Sequence, residues 1–159
     1  MDAVVKEYRL RNPEQDVWRY IKALKKESKG HLLETLGSEN RAYEHIIEQN
    51  NAGNIRAWYD ATGKLVGLLM FQIGKPWWSD KVAVYEETVF CLDRSYSGIQ
   101  REAIRELERI ARANDAVMIF VGDIVSSGTT EKLVINGYLR NDYTPIAHDF
   151  VKTLEYQYD

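Results

Sequence analysis

The period of the hydrophobic pattern changes several times along the chain, and each change marks an element. Val4 to Arg9 is rich in β-formers and predicts a first strand, ended by Asn12-Pro13, where Asn can cap a helix and Pro fits its first position. Val17, Trp18, Ile21 and Leu24 then recur at helical spacing, with Lys22, Lys25 and Lys26 elsewhere on the cylinder and Gly30 ending the run. Ser38 predicts the cap of a second helix, whose stripe of Ala42, Tyr43, Ile46 and Ile47 breaks at Asn50-Asn51-Ala52-Gly53.

Strand periodicity follows. Ile55–Tyr59 and Leu65–Ile73 flank Asp60-Ala61-Thr62-Gly63, a turn signal that predicts a β-hairpin; Lys75–Asp80 reads as a loop and Val82–Leu92 as a third strand of the meander. Gly98 to Asn114 is the clearest helix, with Ile99, Ala103, Ile104, Leu107, Ile110 and Ala111 on one face. Ala116–Val121 is a short, nearly all-apolar strand ending at Gly122-Asp123, as expected of a strand covered on both sides. Thr129 or Thr130 opens a short helix closed by Asn136-Gly137, and Tyr138–Tyr143 and His148–Leu154 read as two last strands around Pro145. The pattern predicts an α/β (α+β) domain spanning residues 1–159, a mixed sheet with helices on its faces.

Composition narrows the function classes. With 21 basic against 24 acidic residues the net charge is -3, which argues against nucleic acid or an anionic membrane as partner. Cys91 is the single cysteine and has no disulfide partner in the chain; His31, His45 and His148 show no metal-ligand spacing, so no metal site is expected. No segment approaches the roughly 20 apolar residues of a membrane span, and the start of the chain lacks a secretory pattern; a cytoplasmic protein is expected.

Four stretches resemble the GNAT superfamily of N-acyltransferases, whose element order the chain follows over nearly its whole length. Asp60–Gly67 looks like the family's glycine-containing hairpin. Glu87-Thr88-Val89-Phe90-Cys91 is similar to its fourth strand, where a glutamate precedes an apolar run. Asp93–Arg101 occupies the place of Arg/Gln-x-x-Gly-x-Gly/Ala, with Ser95 standing for Arg or Gln and Gln100 for Gly or Ala when Gly98 is the anchor. Glu131–Tyr138 resembles the last helix with its closing Gly-aromatic pair; the tyrosine that many members carry four residues before that glycine is Leu133 here, and Ser126 or Ser127 stands for a frequent asparagine.

The resemblance implies a mostly antiparallel sheet of about 6–7 strands flanked by about four helices. It also implies acetyl-CoA as co-substrate and direct transfer of its acetyl group to a primary amine on a small molecule or a protein. Phe90, Cys91 and Leu92 are the window for the thioester and pantetheine, through backbone N–H and C=O groups. Ser95, Ser97, Gly98, Ile99 and Gln100 are the candidate diphosphate cradle, through backbone donors at a helix start. Glu87 is the candidate base, with Glu86 on the opposite face of the strand. Tyr138 and Tyr143 follow the last helix without an assigned acid role. The departures at Ser95, Gln100 and Leu133 keep a second class open: a GNAT-like binding or structural protein without catalysis, similar to phage-encoded members that serve in virions. Trp77-Trp78, after Lys75-Pro76, reads as a pocket wall, a loop plug or a contact with a protein partner or second copy.

Overall fold

The structure, a computed structural model, describes residues 4–30, 33–34, 37–122, 128–147 and 149–154. Strand β1 (Val5–Glu7) leads into helices α1 (Pro13–Glu27) and α2 (Glu39–Ala52). Strands β2 (Ile55–Tyr59), β3 (Leu65–Gly74) and β4 (Ala83–Cys91) follow, then α3 (Ile99–Ala113), β5 (Met118–Phe120) and α4 (Gly128–Arg140). The strands form one sheet in the order β1-β2-β3-β4-β5, antiparallel except for the parallel β4–β5 pair. This is the expected mixed, mostly antiparallel sheet with helices on its faces, with five strands among the described residues where about six or seven were expected.

The missing strands were expected at the C-terminal end. Asn136-Gly137 does not stop α4, which continues to Arg140, and Tyr138 lies buried in its last turn. Gly137 is not among the left-handed glycines; its lack of a side chain instead admits Gln100 of α3, whose Oε1 would lie 2.5 Å from a Cβ at that position. Residues 149–154 carry no ladder. Ser126, Ser127 and His148 lie outside the described residues, as do the side chains of Thr129 and Thr130.

Local signals elsewhere act through named bonds. Asp60 Oδ1 accepts the N–H groups of Thr62 and Lys64 at 2.9 and 3.0 Å and so folds the β2–β3 turn. Ser38 Oγ accepts the Arg41 N–H at 3.2 Å at the start of α2. At the start of α1 the expected Asn12 side-chain cap is not used. Asp16 reaches back to accept the Asn12 N–H at 3.1 Å, and the same carboxylate oxygen accepts the Tyr59 hydroxyl at 2.6 Å.

Two cores form, one on each face of the sheet. Val17, Tyr20 and Ile21 of α1 and Ile46 of α2 pack on Ile55, Tyr59, Leu65 and Leu68. On the other face Ile99, Ala103, Leu107 and Ile110 of α3 pack on Trp58, Val66, Leu69, Phe71 and Val84. The first turn of α3 sits directly on the sheet at Gly67, where a Cβ would lie 2.8 Å from Ile99 Cγ2.

Within the second core α3 buries a charge. Glu106 is 2% exposed and pairs with Lys6 of β1 at 2.6 Å, with Arg56 of β2 at 3.0 Å, and with Arg109. Burial raises its pKa, but the bonds from Lys6 and Arg56 and the charges of Lys6 and Arg109 outweigh that and hold the carboxyl below the usual glutamate range. Removing the carboxylate while leaving the cations is expected to cost about 3 kcal/mol, so Glu106→Ala should unfold at lower urea. In the unfolded chain Glu106 returns to its ordinary range near about 4.3 and binds a proton more readily. Its contribution is therefore present above that range and fades as pH falls through the lower folded value. Glu106→Gln should flatten this part of the acid-unfolding curve; parallel curves for parent and variant would contradict it.

Candidate functional site

The site is built around an irregularity in β4. Its ladder with β3 pairs Met70 with Thr88 and Phe71 with Glu86, so Glu87 is an extra residue, a β-bulge. A bulge resets the alternation of side chains. Thr88 and Phe90 meet Tyr20 of α1, the former by a hydrogen bond and the latter by an edge-on ring contact at 5.5 Å. Glu87 turns to the same face and its carboxylate meets Nε2 of His45 on α2. Burial, with the nearby Glu87 charge also raising it and the Thr88 bond opposing, pushes the Tyr20 hydroxyl up to about 12, so it stays protonated at neutral pH. Glu86 faces the other way, where its carboxylate accepts the Tyr138 hydroxyl at 2.6 Å.

On its other side β4 has a much shorter partner. The parallel ladder with β5 covers Ala83, Val84 and Tyr85, and ends at the pair of Tyr85 with Phe120, whose rings stack at 5.1 Å. Beyond Tyr85 the described residues carry no further β4–β5 pairing. The Leu92 N–H donates to Val66 O at 2.8 Å, and Leu92 lies opposite Val66 when the Cys91–Gly67 register is continued. In an antiparallel ladder such bonded pairs alternate with pairs whose polar groups point outward. The backbone groups of Phe90 and Leu92 therefore serve β3, and those of Val89 and Cys91 face the β5 side, past the end of the described β4–β5 ladder. Within the expected window of Phe90, Cys91 and Leu92, Cys91 turns its main-chain groups away from β3, and Val89 does the same.

The Cys91 thiol donates to Asp93 O at 3.0 Å, and burial pushes its pKa up, so it acts here as a packed side chain. Ahead of α3, Asp93 captures both donors of Ser95: its Oδ1 accepts the Ser95 N–H at 3.0 Å and the hydroxyl at 2.7 Å. Those bonds hold the Asp93 carboxyl below its ordinary range. Gly98 caps α3 in the left-handed region at φ 101, which a side chain would resist, and the helix start has no side-chain cap. The first N–H groups of α3 are thus left open, as at any uncapped helix start. Ile99 contributes only backbone here, because its side chain is buried on Gly67. The Gln100 side chain is held by α4, donating to Val134 O at 2.9 Å. Ser97 is exposed beside Gly98 and lines a cavity of about 420 Å³ together with Lys6, Trp58, Tyr96 and Arg101.

Helix α4 meets β4 through Tyr138 on Glu86, while Leu133 is 65% exposed. Tyr143 packs edge-on against Tyr138 at 5.4 Å; its buried hydroxyl has no hydrogen-bond partner among the described residues, and burial, with Glu108 and Glu86 adding to it, pushes its pKa up to about 12. Trp77 and Trp78 stand away from these groups on the β3–β4 loop, 96% and 58% exposed. His45 and Arg101 were not singled out from the sequence. Each lies among polar residues of an amphipathic helix, where no pattern separates it from a solvated face. Among the described residues no cluster of metal-ligating side chains occurs, and no helix is long and apolar enough to cross a membrane.

No family model and no curated protein matches the chain by sequence. Solved structures match it over nearly its full length. An acetyltransferase from Trypanosoma brucei is 16% identical with a TM-score of 0.64, covering 96% of this chain and 100% of its own. An aminoglycoside N-acetyltransferase in complex with CoA is 12% identical with a TM-score of 0.63, over 97% of this chain and 96% of its own. A glucosamine-6-phosphate N-acetyltransferase from Arabidopsis thaliana is 13% identical with a TM-score of 0.62, over 97% and 100%. The chain has the fold these acetyltransferases share.

Two bonds tie α4 to this site, and each has a measurable cost. Tyr138→Phe should lower stability by about 1.5 kcal/mol, as loss of a hydrogen bond to a charged group does, and Gln100→Ala by about 1 kcal/mol. Urea unfolding curves that coincide with the parent for both variants would show that α4 is held by other contacts.

Proposed function

We propose that this chain is an acyl-CoA-dependent N-acyltransferase that passes an acetyl group from acetyl-CoA to a primary amine. The observation that carries the reading is the bulge in β4: Glu87 is the extra residue, and the main chain of Val89 and Cys91 faces the side on which the described β5 ladder has already ended. The shared fold with acetyltransferases, one of them solved with CoA, supports it.

In this reading the Val89 and Cys91 backbone groups align the pantetheine amides and the thioester carbonyl. The open N–H groups of Ile99 and Gln100, with Gly98 and the Ser97 hydroxyl, receive the diphosphate, and Arg101 adds positive charge beside them. Ser95 gives nothing directly, since Asp93 holds both of its donors. Bound acetyl-CoA supplies the thioester. The amine enters from the α1–α2 side, where Glu87 accepts its proton, directly or through water, as nitrogen bonds the carbonyl carbon and the carbon–sulfur bond breaks. His45 fixes the Glu87 carboxylate. The fold neighbours include enzymes named for an aminoglycoside and for glucosamine-6-phosphate, so a small amino sugar is a reasonable first acceptor to try.

A second reading, a binding protein without turnover, is favoured by α4. Its ties through Tyr138–Glu86 and Gln100–Val134 join it to β4 and α3, and Asp93 sets a negative charge before the helix start.

Thermal unfolding with acetyl-CoA separates the two. Ligand at about 100 times its dissociation constant should add roughly 2.7 kcal/mol of stability, and no shift at saturating concentration would remove the acyl-carrier role. If it binds, Glu87→Gln should leave that shift intact and slow thiol release with an accepted amine by about 10²–10⁴-fold, the usual worth of a positioned base. Equal rates would take Glu87 out of the chemistry.

A further inference from the structure

We infer that a cavity bounded by β1, β2 and α3 binds a small organic phosphate, a phosphate monoester on an apolar body. The inference goes beyond the proposed acyl transfer and does not rest on it. The cavity measures about 420 Å³, within the range of about 300–1,000 Å³ of small-molecule sites. Lys6 of β1, Trp58 of β2, Ser97 ahead of α3, and Arg101, Glu102 and Arg109 of α3 line it. No described residue of β4, β5 or α4 does, so it lies apart from the β4 main chain proposed for the acyl carrier.

Charge singles this cavity out. The chain as a whole carries a net charge of -3, yet positive charge is in excess here. Lys6, Arg56 and Arg109 converge on the one carboxylate of Glu106, Lys6 at 2.6 Å and Arg56 at 3.0 Å. Glu102, the acid that lines the cavity, is taken by Arg105 at 3.0 Å. Arg101 has no hydrogen bond or ion pair with a described residue, and its guanidinium folds back over Gly98, with Nη2 3.2 Å from where a Cβ would stand. Five cations thus meet two carboxylates, and three positive charges are left over. A concave site lined by one sign of charge gathers ions of the other.

The size of that excess selects the ligand. A guanidinium fork fits phosphate and carboxylate alike, but a phosphate monoester is close to a dianion at neutral pH and has three acceptor oxygens, where a carboxylate has one charge and two oxygens. In this assignment the Arg101 fork holds two of those oxygens and the Ser97 hydroxyl donates to the third. The other walls are apolar, from Val4, Trp58, Tyr96 and Ile99. A water molecule takes about 30 Å³, so a bare phosphate leaves most of the cavity empty and an apolar body is needed to fill it. Ser97 and Arg101 also stand beside the proposed diphosphate position. Lys6, Trp58 and Arg109 do not, and they identify this cavity in a test.

The test is titration of the full-length ¹⁵N-labelled chain with phenyl phosphate. The amides of Lys6, Ser97, Arg101 and Arg109 and the Trp58 indole should shift together and saturate with a dissociation constant of about 1 mM or tighter, while Val89 and Cys91 stay in place. Arg101→Gln should weaken this binding about tenfold, the worth of one charge-assisted hydrogen bond. Inorganic phosphate, benzoate and phenol each lack one feature of the probe, and each should bind at least about tenfold more weakly. No saturable shift at Lys6, Trp58 and Arg109, shifts confined to Val89 and Cys91, a comparator that binds as well as phenyl phosphate, or Arg101→Gln binding like the parent would each overturn the inference. The exposed Arg101 side chain makes no contact that folding needs; if its variant nevertheless fails to fold, the comparators on the parent chain decide. CoA takes no part in this test, so its outcome and that of the acyl-carrier reading are separate.

Discussion

Past Tyr85, strand β4 keeps its ladder with β3 while its described ladder with β5 has ended, and that inequality organises the rest of the molecule. Backbone N–H and C=O groups are strong and obligatory partners, so a strand that loses its neighbour in mid-course offers a row of donors and acceptors to whatever lies beside it. The bulge at Glu87 fixes which ones. It places Glu87, Thr88 and Phe90 toward α1 and α2, and leaves the polar main chain of Val89 and Cys91 facing the β5 side.

The rest of the fold holds this strand and the start of α3 in register. Gly67 lets Ile99 press against the sheet, and Glu106 anchors the middle of α3 to β1 and β2 through Lys6 and Arg56. A buried carboxylate with cationic partners adds little net stability over apolar packing of the same shape, but it penalises sliding of the helix, since any shift strands a charge. The precision lies in α3 and β4 together: a helix start displaced by one turn would no longer bring Ile99 onto Gly67.

Much of the fold was legible because periods of two and 3.6 are written directly into the chain. The hairpin at Asp60–Gly63, the Ser38 cap and the long apolar face of α3 follow from local residues whose bonds are short in sequence. What escaped was set by tertiary contact. Asn136-Gly137 has the composition of a helix stop, yet α4 continues because Tyr138 gains burial and the Glu86 carboxylate one residue further on. The bulge left no mark, because Glu86, Glu87 and Thr88 are all polar and a slip of one position there moves no apolar residue to the wrong face. Ser95 was expected in the diphosphate cradle, but Asp93, two residues before it, takes both of its donors, a local habit of such side chains. His45 finds Glu87 across 42 residues, and no spacing rule reaches that far.

In the proposed function the β5-facing main chain of β4 receives an acyl carrier, and backbone amide resonances report on this residue by residue. Titration with CoA, followed by amide chemical shifts in the ¹⁵N-labelled chain, should move Val89, Cys91, Ile99 and Gln100 in concert, while Phe90 and Leu92, bonded within the sheet, move less. Saturating CoA that leaves Val89 and Cys91 unmoved would contradict it.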